Sequence, residues 1–144
     1  MIFWLSCMTF LFSNPQAPDA VLKRVDWDAV QVARCIDNYM TGTATGNRDQ
    51  IRKAFLPNAG LQFIRDGKPT RFPVEDYVAF FKEGVATGRT GRLVSADITG
   101  TAAMVKVEIH TKKRRFTDYL VLLKVGDDWK IAEKIAFSVS KGDQ

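Results

Sequence analysis

The chain has 144 residues, of which 46% are hydrophobic and 26% are charged, and its formal net charge is +5 at pH 7. This composition is that of one globular domain and excludes a disordered or fibrous chain. One histidine and two cysteines provide neither a zinc or iron site nor a disulfide framework, so we expect no metal and no cofactor. The densest basic run, residues 112–115, is expected at a hairpin tip in water. No aromatic stacking set accompanies it, so we expect no nucleic-acid partner.

The sequence begins with an apolar run, MIFWLSCMTFLF, which the breaker-rich SNPQAPDA follows. A run of about a dozen residues is too short to span a bilayer but has the length of the apolar part of a secretory signal. Small residues near Ala17 and Ala20 could host cleavage, although no Lys or Arg precedes the run. We interpret residues 1–20 as an apolar leader or export signal, which favours a periplasmic or secreted location over the cytoplasm. The alternatives are a misassigned start and an extra packing strand.

The domain itself is predicted over residues 27–138, with a tail at 139–144 and no membrane contact in the mature domain. In residues 27–41, apolar side chains recur with the 3.6-residue period of a helix. Asp26 or Asp28 is available as the N-cap, and Gly42 is expected to end this helix. Cys35 falls on its apolar side and is expected to be a small core residue.

A second, short helix and a hairpin are predicted next. The segment NRDQIRKAF begins with Asn47 and has Gln50 three residues later, which is a capping-box pattern, and Pro57 is expected to end the helix. The segment LQFIRDGKPTRF predicts a β-hairpin, because Asp66 and Gly67 readily adopt the positive φ angles of a tight turn.

A third helix is expected from Pro73, a favoured first helical residue, to Gly84 or Gly88. Four strands separated by turn residues follow: Leu93–Thr99, Ala102–Thr111, Arg115–Val125 and Trp129–Ser138. This order predicts an α+β fold, in which three N-terminal helices pack on a curved, mainly antiparallel sheet. The last strands are apolar on both faces, so we expect a homodimer through the face that the helices leave open. A cavity between helices and sheet would be a natural small-molecule site.

The strand RRFTDYLVLLKV places a carboxylate in an otherwise apolar run. Strand alternation puts Phe116, Asp118 and Leu120 on one face and Tyr119 on the other. Three interpretations of Asp118 are open. It is a pocket acid kept neutral so that it can donate a hydrogen bond, a structural acid bonded to the backbone or to a lysine such as Lys134, or a group that reaches water at the rim.

Several segments together resemble a known family. These are AFLPNAGLQF after a Gly-Asn-x-Asp helix start, DITGTAAMVKVEI, RFTDYLVLLK and DWKIAEKIAF. They resemble the putative lumazine-binding family of the NTF2-like (SnoaL-like, ketosteroid-isomerase-like) superfamily, and the resemblance covers about residues 27–138. It implies a cone-shaped α+β roll and frequent dimers. It also implies a pocket that different members use for binding, isomerisation, cyclisation or no known purpose.

The resemblance also bears on individual residues. Steroid isomerases of this superfamily hold an oxyanion with a tyrosine on the first helix and an aspartic acid on a late strand, and Tyr39 and Asp118 are similar to these two. The position of their carboxylate base falls on Phe63, and Leu56 stands where lumazine-binding members often have histidine. Both departures remove a proton-transfer group and weigh against isomerase chemistry.

His110 is the alternative candidate for a base, with Glu108 on the same strand face, although a solvated or rim histidine is the competing interpretation. Tyr39 has the competing interpretation of a core residue whose hydroxyl reaches the cavity edge. The candidate catalytic residues are therefore Tyr39, Asp118 and His110. The candidate ligand-binding residues are mostly aromatic: Tyr39, Phe63, Tyr77, Phe81, Phe116, Asp118, Leu120 and Trp129.

Three functions follow from these residues. The first is a non-catalytic binder, in which Tyr39 and Asp118 orient an apolar or aromatic small molecule. The second is a metal-free isomerase, cyclase or dehydratase that stabilises an enolate with the same two residues and uses His110 as base. The third is a protein-interaction module built on the sheet face. The missing carboxylate base favours the binder over the enzyme.

Overall fold

The structure, a computed structural model, describes the backbone of residues 17–142 and the side chains of residues 27–142. The elements in chain order are α1 (Ala17–Thr45), α2 (Arg48–Ala54), β1 (Phe55–Arg65), β2 (Lys68–Pro73), α3 (Val74–Ala79), β3 (Thr90–Thr99), β4 (Ala102–His110), β5 (Arg114–Val125) and β6 (Asp128–Ser140). Of the predicted leader, residues 1–16 lie outside the described residues.

Helix α1 is longer than the sequence pattern predicts. Gly42 does not end it but lies inside it, where a Cβ atom would come within 2.9 Å of Ile51. The helix instead stops before Gly46, whose φ of 72° is left-handed. The expected N-cap at Asp26 or Asp28 is also wrong, because the helix begins at Ala17.

The predicted cap of α2 and the predicted hairpin are both confirmed. Oδ1 of Asn47 accepts the backbone N–H of Gln50 at 2.9 Å. The helix ends at Ala54, and Pro57 lies inside β1 rather than at the helix end. At the turn between β1 and β2, Asp66 and Gly67 have φ angles of 51° and 74°.

Helix α3 ends earlier than expected. Pro73 is its N-cap, and the helix stops at Ala79 instead of Gly84 or Gly88. The N–H groups of Phe80 and Phe81 bond to the carbonyls of Tyr77 and Val78, three residues back, so the last turn tightens and ends the helix.

The six strands form one open sheet in the order β2-β1-β6-β5-β4-β3. Every neighbouring pair is antiparallel except β1 and β6, which are parallel. The register shifts between Phe55 and Gly60, between Leu93 and Ser95, and between Val121 and Leu122. Such irregularities bend strands, and they accompany the curvature of this sheet around the helices.

The helices pack on one face of the sheet, which confirms the predicted α+β architecture. That inner face supplies Val105, Val107, Leu120 and Leu122 to the core, where Ile36 of α1 meets them. The predicted alternation along β5 is also confirmed, because Asp118 and Leu120 are buried and Tyr119 is exposed. Cys35 is buried in the same core, as expected. Among the described helices, none combines the length and the apolar character that crossing a membrane requires.

Candidate functional site

A buried polar triangle lies at the centre of the inner face. Oδ2 of Asp118 in β5 accepts hydrogen bonds from the Tyr39 hydroxyl and from the Lys134 ammonium, each at 2.8 Å. The ammonium also donates to the Tyr39 hydroxyl oxygen at 2.6 Å. All three side chains are buried, and they come from α1, β5 and β6.

The positions of these side chains follow from local structure. Tyr39 belongs to the buried stripe of α1, together with Val32 and Ile36. Lys134 faces inward because it pairs across β5–β6 with the inward-facing Leu120. Its ammonium lies 5.1 Å from the ring centre of Tyr39 and 5.0 Å from that of Tyr77, within the range of a cation–π interaction.

The electrostatics of the triangle favour an ion pair. Burial alone would lower the pKa of Lys134, but the neighbouring Tyr77 and Asp118 outweigh it, so this pKa is raised. Burial, followed by the charge of Asp118, holds the pKa of Tyr39 well above its ordinary value. At neutral pH the lysine is therefore charged and the phenol protonated. This geometry favours the second interpretation of Asp118, an ionised acid paired with Lys134.

The triangle extends toward the protein surface through Tyr77 of α3. The hydroxyl oxygens of Tyr39 and Tyr77 are 3.4 Å apart, and the Arg89 guanidinium donates to Tyr77 at 3.3 Å. The same guanidinium lies 5.0 Å from the ring centre of Phe81 and 5.7 Å from that of Phe116. Three consecutive polar contacts therefore connect Asp118 with a partly exposed arginine.

One polar atom of this network is unsatisfied. Within the described part of the chain, Oδ1 of Asp118 is the buried side-chain oxygen or nitrogen without a hydrogen-bond partner. A buried acceptor without a donor costs about 1–3 kcal/mol, and more when it is charged. Such atoms are uncommon in native proteins, so this one marks Asp118 as a candidate functional group.

A cavity of about 910 Å³ opens beside the network, between the inner face of the sheet, the β1–β2 hairpin, the end of α3 and the segment before β3. Its volume falls within the range of about 300–1,000 Å³ that is usual for small-molecule sites. The aromatic residues of its wall include Phe63, Phe72, Tyr77, Phe80 and Phe116. The charged residues of its wall are Arg65, Asp66, Arg89, Arg114, Asp118 and Lys134.

The structure brings only part of the predicted ligand-binding set to this cavity. Phe63, Tyr77, Phe116 and Asp118 line it. Tyr39 lies directly behind the wall and is fully buried, and its hydroxyl touches Tyr77 and Asp118.

The remaining three residues of that set do not line the cavity. Phe81 and Leu120 are core residues. Trp129 lies near the other end of the sheet, where its indole N–H donates to Asp28 at 3.2 Å and Lys124 pairs with the same carboxylate. The sequence placed all three in the ligand-binding set, because it could not show which end of the sheet the cavity occupies.

His110 is not part of this site. It alternates with Ile109, which is buried and lines the cavity, so His110 belongs to the outer face of β4. Glu108 shares that face but bonds to Arg92, at 2.7 and 3.0 Å, instead of forming an acid–base pair with His110. In the described residues, no cluster of three or more His, Cys, Asp or Glu side chains could hold a metal ion.

All three arginines of the cavity wall, Arg65, Arg89 and Arg114, were missed by the sequence analysis. Arg114 was grouped with the basic hairpin tip, yet it lines the cavity, and its guanidinium donates to Oγ of Ser138 at 2.9 and 3.2 Å. Strand alternation, extended two residues back from Phe116, would have placed it on the inner face. Arg89 lies in an irregular segment, where no periodicity indicates direction.

Comparison with solved structures supports the same fold. An NTF2-like protein of unknown function from Shewanella baltica OS155 has a TM-score of 0.71 and 23% identity, over 78% of this chain and 94% of that one. One from Silicibacter pomeroyi DSS-3 has a TM-score of 0.72 and 19% identity, over 80% and 98%. A protein described as a putative ketosteroid isomerase, from Shewanella frigidimarina NCIMB 400, has a TM-score of 0.54 and 21% identity, over 74% and 94%. No curated protein matches the sequence.

The sequence itself carries a family signature over most of its length. The model of the family described as "Putative lumazine-binding" matches residues 28–137, which extend from the middle of α1 to near the end of β6. The helices, the sheet and the cavity all fall within this match or border it. The chain therefore belongs to the putative lumazine-binding family and has the NTF2-like fold.

Proposed function

We propose that this protein binds a small organic molecule in the cavity and performs no chemical step on it. The observation that carries the proposal is a cavity whose wall combines aromatic rings with the charged side chains of Arg89, Arg114 and Asp118. Aromatic rings supply apolar contact area and a few polar groups fix orientation, which is the usual composition of a ligand site. Oδ1 of Asp118 is buried beside this cavity, so a bound N–H or O–H group would satisfy it only after a neighbouring side chain moves aside.

The ion pair weighs against the isomerase, cyclase or dehydratase alternative. An oxyanion site needs two donors, yet the Tyr39 hydroxyl gives its only proton to Asp118. Asp118 in turn is paired with Lys134, and an ionised carboxylate accepts hydrogen bonds but cannot donate one. His110, the candidate base, is on the opposite face of the sheet. None of the three residues assigned to the enzyme alternative, Tyr39, Asp118 and His110, is therefore arranged for its role.

A ligand screen with a cavity-filling variant tests the proposal. Ala136 lines the cavity and pairs with Asp118 across β5–β6, so Ala136→Phe would occupy the space of a ligand. Ala86 lies exposed in the segment after α3 and outside the cavity, so Ala86→Phe is the matched control. A true ligand raises the unfolding midpoint of the wild type and of the control, but not that of Ala136→Phe. At one hundred times its Kd it stabilises the folded state by about 2.7 kcal/mol.

Native mass spectrometry of the same three proteins gives the stoichiometry of each complex. Ligands that stabilise all three proteins equally would place binding outside the cavity and contradict the proposal. Conversion of a bound compound to a product of different mass, or to an isomer separable by chromatography, would restore the enzyme alternative.

A further inference from the structure

We infer that the ligand is a flat aromatic molecule that carries one anionic group, such as a carboxylate, held between Arg89 and Arg114. This inference rests on the proposed binding function and adds the chemical class of the ligand. It also gives the molecule an orientation: its N–H or O–H group lies toward Asp118, and its anionic group lies toward the two arginines.

The charges around the cavity are unbalanced. Lys134 is neutralised by Asp118, which leaves three guanidinium groups in the wall against the single carboxylate of Asp66. Among the described residues, neither Arg89 nor Arg114 has a carboxylate within ion-pair distance. An anionic ligand would supply the missing charge.

Other arginines of the chain show what these two lack. Three arginines on the protein surface each pair with a glutamate, at 2.7 to 3.5 Å: Arg52 with Glu75, Arg71 with Glu133 and Arg92 with Glu108. The cavity arginines instead use part of their donor set on neutral oxygens, those of Tyr77 and Ser138. These contacts hold the planar groups in place and leave further N–H donors for a ligand, because a guanidinium has five. A fixed guanidinium binds a carboxylate in a bidentate manner at low entropic cost.

The two arginines converge on one point of the wall. Arg89 lies 5.7 Å from the ring centre of Phe116. Ser138, which holds Arg114, pairs directly with Phe116 across β5–β6. Arg89 therefore lies over the Phe116 ring and Arg114 is held by the strand partner of Phe116, so both line the same part of the wall although they come from distant parts of the chain.

The distance from this point to Asp118 sets the size of the ligand. Asp118 follows Phe116 by two residues on the same face of β5, and two residues of a strand span about 7 Å. That is the length of a fused two-ring aromatic system. Oδ1 of Asp118 is covered by neighbouring side chains, so a ligand donor reaches it only after one of them moves aside. We therefore expect the anionic group to contribute more to affinity than the donor.

Matched probes test the inference. Indole-3-carboxylic acid has the anionic group and a ring N–H, indole-3-carboxamide lacks the charge, and benzofuran-3-carboxylic acid lacks the N–H. Titration calorimetry or NMR titration should show the first binding the full chain. The amide should bind at least about tenfold more weakly, because hydrogen bonds that involve a charged group are roughly twice as strong as those between neutral groups. The benzofuran acid should fall between the two.

Variants separate the arginines from general charge effects. Arg89→Gln and Arg114→Gln should each weaken binding of the indole acid about tenfold, whereas Arg34→Gln should not change it. Arg34 is exposed on α1 and lies outside the cavity, so its substitution removes the same charge without changing the site.

The outcomes distinguish this inference from the function on which it rests. If the amide binds as well as the acid, or if both cavity variants bind the acid like the wild type, the inference is overturned while the binding proposal stands. Failure of all three probes also overturns the proposed ligand class. Binding of the acid that Ala136→Phe does not reduce would overturn the binding proposal itself.

Discussion

At the scale of single residues, the Asp118–Lys134 pair determines how much stability a substitution in the interior costs. A buried ion pair adds little net stability over apolar residues of the same volume, but removal of one partner leaves an uncompensated charge. Both members are buried and bonded to the same tyrosine hydroxyl, so neither can reach water when the other is removed.

We therefore expect Asp118→Leu to lower the free energy of unfolding by about 3–5 kcal/mol, because the Lys134 ammonium is left unpaired. The double variant Asp118→Leu, Lys134→Met should recover most of that loss and come within about 1 kcal/mol of the wild type. Urea unfolding followed by circular dichroism measures all three proteins. A single variant that is as stable as the wild type would show that the carboxyl group is neutral.

The Tyr39 hydroxyl predicts a dependence of stability on alkaline pH. Its pKa is raised by burial and by Asp118, above the ordinary value of 10.0, so the folded state holds this proton more tightly than the unfolded state. The corresponding stability is fully present below pH 10 and is lost as the pH rises above it. One proton contributes a slope of up to about 1.4 kcal/mol per pH unit.

Unfolding free energies measured from pH 8 to 11.5 should fall more steeply in the wild type than in Tyr39→Phe, in which the raised pKa of Lys134 contributes the remaining slope. Tyr119→Phe is the matched control, because Tyr119 is an exposed tyrosine on the outer face of the same strand that carries Asp118. Equal slopes in all three proteins would mean that Tyr39 is not the titrating group.

The sequence predicted the face on which these side chains lie better than it predicted which residues they contact. Asp118 faces inward by strand alternation, and Tyr39 by helical periodicity, and each rule needs only neighbouring residues. The pairing of Asp118 with Lys134 also depends on the β5–β6 register, which includes a shift at Val121 and Leu122 that no local pattern indicates. The position of Arg89 could not be predicted either, because tertiary packing alone determines it.

At the scale of elements, the connection between α1 and α2 depends on Gly46. Its φ of 72° favours glycine, and a Cβ atom there would lie 2.5 Å from the Lys82 carbonyl and 2.6 Å from that of Val85. Gly84 has a similar φ of 68°, but a Cβ there would meet no atom within 4 Å. A comparison of alanine substitutions at these two glycines therefore separates the cost of backbone strain from the cost of steric overlap.

Gly84→Ala should cost about 1–2 kcal/mol, the strain of a left-handed residue alone. Gly46→Ala should cost at least about 2 kcal/mol more, because the backbone carbonyls must move apart. Thermal and urea unfolding of both variants measure the difference. Equal losses would show that the loop around Lys82 yields without resistance.

Element types were easier to predict from the sequence than element ends. The hairpin turn and the α2 cap depend on short side-chain and φ requirements, and both are where the sequence placed them. The start of α1 and the end of α3 were wrong. Helix ends are set by competition between the next intrahelical hydrogen bond and tertiary contacts, which a periodic pattern does not record.

At the scale of the whole molecule, the outer face of the sheet is apolar and uncovered in the described chain. Its exposed residues include Met104, Tyr119, Val121, Leu123, Ile135 and Phe137. Two of its acidic residues, Glu108 and Glu133, are already paired with Arg92 and Arg71 of the same chain. The face therefore offers mainly apolar area, and its two acidic groups are already paired within the chain, which suits a second copy of itself better than a basic partner.

We expect a homodimer at micromolar concentration, and light scattering after size-exclusion chromatography measures its mass. Val121→Lys should shift the mass toward one chain, because a charge enters the centre of the interface. Val85→Lys, on the exposed segment after α3, should leave it unchanged. A wild-type mass equal to one chain would overturn the prediction and leave the outer face to another occupant.

The parallel pairing of β1 with β6 has a consequence for how this protein is made. Among the described strands, β6 is the last in chain order, and it lies between the first hairpin and the other three strands, so it joins the two parts of the sheet. Until β6 is available, each part of the sheet has an open edge and an uncovered apolar inner surface, features that make a partly folded chain prone to aggregate. We therefore expect the complete sheet to form only once residues 128–140 are free to pair with both parts.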